Sequence, residues 1–191
     1  METSKTLLSR LRSTGLLLQQ DLLLPSVVTS LAGEPIRGSW WKHPAAHQMF
    51  ACLNEISCNP DVLTTRLVRG KITFVHRHLW PAVLSIGRSQ AAWQLEGLSR
   101  PAQGLFDRVK RQGSLYSSGS VAHELSGRLL VHDEQVHTSA GHHELLLERW
   151  SLWANRAGCR TRIAPREAQR QLEAALIGIG GSVVMLPWRN P

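Results

Sequence analysis

Apolar positions recur along this chain first at helical spacing, then in alternation, then at helical spacing again, and each change of period marks an element boundary. Residues 1–24 read as a basic, leucine-rich helical lead-in, interrupted at Gly15 and closed by Pro25. Ser26 to Ala32 follows as a brief helix, with Gly33 as its stop. Beyond the segment Gly38-Ser39-Trp40-Trp41-Lys42-His43-Pro44, the residues Ala46, Met49, Phe50, Leu53 and Ile56 return at helical spacing. They predict a helix that ends before Asn59-Pro60.

The clearest local signal is the hairpin from Leu63 to Val75, joined by the two residues Arg69-Gly70, where glycine supplies the positive φ of a tight turn. Pairing Leu67 with Ile72 and Thr65 with Phe74 places apolar side chains on one face. Arg66 and Thr73 then occupy the opposite face, with Val68 and Lys71 beside the turn. One face is expected to pack and the other to be basic. His76 to Gly87 reads as a helix with Pro81 in its first turn.

The helical pattern lapses across Gln90 to Gly97 and restarts at Ser99-Arg100-Pro101, a helix-start signature, so a division is expected near residue 92. The helix beginning there carries Leu105, Phe106 and Val109 inward and stops at Gly113. Tyr116 to Ser120 reads as a linker into a second helix through Val121 and Leu125. Leu129 to Thr138 reads as a strand and turn, with Ser139-Ala140-Gly141 leading into an amphipathic helix from His142 to Ala157. A last helix spans Pro165 to Ile177, and Ser182 to Trp188 is expected to be a terminal strand or tail.

These elements predict a mostly helical α+β protein of two winged-helix-like modules in tandem. The first, residues 1–92, holds the basic hairpin, and the second, residues 93–191, ends in the C-terminal helices. With 22 Lys and Arg against 14 Asp and Glu, the net charge of +8 makes a polyanion the expected partner, DNA first. Cys52, Cys58 and Cys159 form no Cys-x-x-Cys pair and indicate reduced thiols. Neither a cleaved signal nor a run of about 20 apolar residues is present, so a cytoplasmic protein without a membrane partner is expected.

The nucleic-acid contact is expected from Arg66, Arg69 and Lys71 on the hairpin, with His76 and Arg77 just beyond it. Trp40 and Trp41 with His43 offer a stacking platform for an unpaired base, with Lys42 beside a phosphate. Adjacent tryptophans rarely both bury, so one of the two is expected to be accessible. The nine histidines show neither zinc-finger spacing nor His-Glu-x-x-His, and no metal is expected. Gly-x-Ser-x-Gly and glycine-rich phosphate loops are missing as well, so no cofactor is expected and no residue set announces a reaction.

The motif Gly38 to Pro44, together with Asp61-Val62-Leu63, Gly70 to Arg77 and Leu79-Trp80-Pro81, resembles a group of small bacterial winged-helix proteins without an established activity. Leu129 to His132, Val136-His137-Thr138 and Gly141-His142 resemble the second half of the same group, and together these matches span residues 26–157. More distantly, Gln19-Gln20-Asp21 is similar to the Gln-x-Asp motif of the AlkZ-like DNA glycosylases, whose fold is a row of winged-helix modules. That resemblance implies DNA base repair, with Asp21 or Gln19 positioning a water against an excised base. A module that docks a protein partner through its tryptophans is a third reading.

Overall fold

The computed structural model describes residues 2–137 and 143–189 and has a mostly helical α+β architecture with two small three-stranded sheets. Its chain clusters into two compact units. One is residues 1–80 with 171–186, and the other is residues 81–170 with 187–191. Residues 81–92 therefore group with the second unit.

In the first unit α1 (Ser4–Thr14) is capped by Thr3 and stopped by Gly15, whose φ of 82° lets its N–H reach Leu11 O. A Cβ at Gly15 would lie 2.5 Å from Leu79 Cδ1, so the turn is closed sterically as well as conformationally. The chain then enters a strand instead of continuing the expected helical lead-in: β1 (Leu16–Leu18) is buried throughout. Three consecutive leucines follow from burial on both faces, which removes the alternation that identifies a half-exposed strand. Next come α2 (Val27–Ala32), capped by Ser26 and ended by Gly33, and α3 (Ala46–Ser57). The unit's sheet is completed by β2 (Val62–Arg66) and β3 (Ile72–His76), in the antiparallel order β1-β3-β2.

The hairpin register differs from the expected one by a residue. Arg66 faces Ile72, Thr65 faces Thr73 and Thr64 faces Phe74. The connection takes five residues, because Leu67 and Val68 bury at the turn while Arg69 and Gly70 both adopt positive φ, 52° and 66°. Val68 N–H bonds to Thr73 Oγ1 at 3.3 Å and fixes the wider loop. One-residue slips exchange faces. As a result Phe74 joins the core of Leu17, Leu53 and Ile56, while Leu63, Thr65, Thr73 and Val75 are buried on the other side. Neither face of the sheet is basic.

His76 ends β3, so the helix expected from there begins later: α4 (Trp80–Ser89) follows a short 3-10 turn at Arg77–Leu79. Trp80 Nε1–H donates to Val75 O at 3.0 Å.

The second unit holds α5 (Ala92–Leu95), α6 (Arg100–Gln112), β4 (Ser114–Ser117) and α7 (Gly119–Gly127). After these come β5 (His132–His137), β6 (His143–Glu148), α8 (Trp150–Arg156) and α9 (Pro165–Gly178), the last running on into the residues of the first unit. Ser99 caps α6 and Gly113 ends it, as the sequence predicts. Its Leu105, Phe106 and Val109 pack with Leu125, Val131 and Leu147.

Two expectations here are corrected. The linker at Tyr116 contains β4, and the helix expected over His142–Ala157 is a strand followed by a helix. Leu145 to Leu147 form a ladder with β4, and Arg149 N–H bonds to Gly113 O at 2.9 Å before α8 begins. Cross-strand pairing overrode the helical spacing of Leu146, Trp150 and Trp153. The turn expected at Thr138 to Gly141, and His142, lie outside the described residues. At the C-terminal end Val183–Met185 and Pro187–Arg189 form 3-10 turns where a strand or tail was expected. No described helix is long and apolar enough to cross a membrane.

Candidate nucleic-acid interface

Each hairpin cation has a distinct environment. Arg69 stands exposed at the tip, in left-handed conformation, without an ion pair among the described residues. Arg66 is half-buried and donates Nη1–H to Gly70 O at 3.3 Å, tying the loop to its own strand. Lys71 Nζ lies 2.6 Å from Asp21 Oδ2, whose side chain is 1% exposed. Just past the sheet, Arg77 pairs with Asp61 at 2.9 Å. Two of the four expected cationic contacts are thus neutralised within the molecule, and the hairpin's outward charge resides chiefly at its tip.

His76 and His78 approach with Nδ1 atoms 2.7 Å apart. At that separation one ring donates to the other, so the pair holds a single proton between these nitrogens. Burial, reinforced by His78, Arg12 and Arg77, lowers the His76 pKa from its ordinary value despite the opposing charge of Asp61. His76 is accordingly a neutral hydrogen-bonding partner near neutral pH.

The tryptophans divide sharply. A 3-10 turn at Trp40–Lys42 turns Trp40 into the core at 5% exposure and leaves Trp41 at 61%. Their rings stack at 4.2 Å, and Phe50 on α3 lies 5.7 Å from Trp41. Trp40 therefore serves as the rigid backing of an aromatic platform whose outer faces are Trp41 and Phe50. Lys42 is exposed beside it, whereas His43 is half-buried and accepts from Ala45 N–H through Nδ1 at 3.1 Å, a local turn contact. Phe50 escaped the sequence reading because it sits at core spacing. The residual signal is that Met49 and Phe50 are consecutive, and a single helical stripe buries only one of them.

An open cavity of about 540 Å³ lies within the first unit, lined by Gln19, Gln20, Asp21, Leu22, Ile36, Arg37, Gly38, Lys71 and Ile72. Gln20 Nε2 spans it, donating to Ile36 O and Gly38 O at 3.0 and 2.8 Å. Asp21 Oδ1 accepts from the N–H groups of Leu23 and Leu24 at 2.9 and 3.1 Å. Burial pushes the Asp21 pKa up, but the Lys71 ammonium and these two amides more than offset it and hold the carboxyl below its ordinary value. Such an anion is a weak proton acceptor, and both its oxygens are engaged.

The chain matches no protein-family model, no curated protein and no solved structure.

In the second unit, His132 meets Glu148. His132 Nδ1 is 3.0 Å from Glu148 Oε1, and Arg156 grips the same carboxylate with Nη2 at 2.6 Å and Nη1 at 2.9 Å. Trp153 stacks on the imidazole at 5.6 Å and Trp150 meets it edge-on at 5.7 Å. Glu148 is 3% exposed, so burial raises its pKa, yet hydrogen bonds from His132 and Arg156 bring it below the ordinary glutamate value. The network fastens the β6–α8 junction to β5. Among the described residues no three His, Cys, Asp or Glu converge as a metal-binding set.

Proposed function

We propose that this protein binds nucleic acid, DNA in the first place, through two winged-helix-like modules in tandem. The observation that carries the reading is the order of the first unit: α1, β1, α2, α3, β2, β3, with β1 returning beside β3. In a winged helix that order frames a groove-facing helix with a β-hairpin wing, and here the hairpin tip exposes Arg69. Further support comes from the second unit, where α6, β4, α7, β5 and β6 repeat most of the pattern, including a β4-β6-β5 sheet. The net charge of +8 and the exposed Trp41 agree with a polyanionic ligand that carries stackable bases. Anisotropy of a labelled duplex and of a single strand, titrated with the full chain at low salt, tests the proposal. Saturable binding of either supports it, and no binding of either overturns it.

A second reading, removal of a damaged base, is favoured by one observation: Gln19 and Asp21 line the same cavity, and the Gln19 side chain makes no hydrogen bond to any described residue. In this reading Gln19 holds the water while the ion-paired Asp21 orients it. Release of a base from an alkylated or crosslinked oligonucleotide, abolished in Gln19→Ala and in Asp21→Asn, is the expected result. Absence of release by the wild type across a lesion panel removes the reading.

A further inference from the structure

We infer that the segment joining α8 to α9, with the first turn of α9, is a phosphate-binding surface, with Arg160, Arg162 and Arg166 gripping the backbone of a nucleic acid. This inference rests on the nucleic-acid reading and moves its main electrostatic contact away from the hairpin.

Three observations carry it. First, all three side chains are exposed, and none has an ion pair or hydrogen bond to another described residue. No acidic residue occurs between Arg149 and Arg166, and the next one, Glu167, is already paired with Arg170. Uncompensated cations this close in sequence repel one another, a cost that an anionic ligand reverses.

Second, the segment is held in place although it has no regular secondary structure. Cys159 N–H bonds to Ala154 O at 2.9 Å, Ile163 N–H to Thr161 Oγ1 at 3.2 Å, and Ser85 Oγ–H to Ile163 O at 2.6 Å. Exposure alternates along it, with Arg160 and Arg162 outward and Thr161 and Ile163 half-buried. Arg160 and Arg162, two residues apart, are therefore both presented to solvent. An anchored backbone lowers the entropy lost when the arginines engage a ligand.

Third, the chemistry discriminates between polyanions. No large hydrophobic side chain is exposed between Trp153 and Arg170. A protein interface needs an apolar centre and an interfacial membrane helix needs an apolar face, and this surface offers neither. Guanidinium groups fit phosphate oxygens in bidentate fashion, and contacts of this type fix position without reading sequence.

The test uses the full chain carrying Arg160→Ala, Arg162→Ala and Arg166→Ala together, with duplex affinity measured across a salt series. Loss of three phosphate contacts should make the slope of log K against log salt shallower by about 2–3 and weaken binding at moderate salt roughly tenfold. Unchanged slope and affinity in a variant of a wild type that does bind overturn this inference alone. A wild type that binds no oligonucleotide overturns the parent reading and this one with it. Should the triple variant show altered circular dichroism, the double variant Arg160→Ala with Arg162→Ala, which leaves α9 untouched, is read instead: a slope shallower by about 2 supports the surface, and an unchanged slope removes it.

Discussion

Lys71 Nζ meets the buried carboxylate of Asp21 at 2.6 Å, joining the turn of the β2–β3 hairpin to the loop after β1. A cation that the sequence offers as a ligand contact is therefore part of the fold. Lys71→Ala leaves Asp21 with its two backbone amides but no counter-charge, at a cost of about 2–3 kcal/mol. Urea unfolding should record that loss while the salt dependence of nucleic-acid binding stays as in the wild type. Arg69→Ala should do the reverse, with unchanged stability and a salt slope shallower by about 1. Because the Asp21 pKa is lowered on folding, the pair's stabilisation is complete above the ordinary aspartate range and is lost as pH falls through the folded pKa.

Local signals in the chain identify its helices well and its strands poorly, for a physical reason. Ser99 and Gly113 bound α6, and Ser26 and Gly33 bound α2, because caps depend only on neighbouring residues. By contrast β1 and β6 contain runs of leucine that are indistinguishable by period from a buried helix, and what selects a strand is a partner distant in the chain, such as Val75 for Leu16 or Leu115 for Leu147. The candidate site divides in the same way. Its residue types were legible, whereas the pairing of Lys71 with Asp21 and of Arg77 with Asp61 joins positions that only folding brings together.

Glu148→Ala removes the carboxylate shared by His132 and Arg156 and leaves a buried imidazole without its partner. A loss of about 2–4 kcal/mol is expected by chemical denaturation. The lowered Glu148 pKa fixes the sign of the pH effect: its contribution is present above the usual glutamate range and disappears on acidification through the folded pKa. Comparing wild type and variant from neutral to acid pH should show their stabilities converging as pH falls.

Gly87 lies on α4 against the indole of Trp150, and a Cβ there would come within 2.4 Å of Trp150 Nε1. Trp150 is further held by its Nε1–H donation to Leu129 O at 2.7 Å, so the ring has little freedom to withdraw. Gly87→Ala should cost about 1–3 kcal/mol despite the higher helix propensity of alanine. Thermal unfolding checks the magnitude.

Trp41 stacks on the buried Trp40 while presenting its other face to solvent. Trp41→Ala should leave stability nearly unchanged and weaken single-strand binding by about 1–3 kcal/mol, the worth of one stacked base. Duplex binding should change less, since paired bases are not available for stacking. Equal loss for both ligands would remove the platform from the account.

The salt dependence of duplex binding by the unmodified full chain tests the central claim most directly. Contacts from Arg69, Arg160, Arg162 and Arg166 predict that log K falls with log salt with a slope of about −3 or steeper. A slope near zero, or no binding even at low salt, would contradict it.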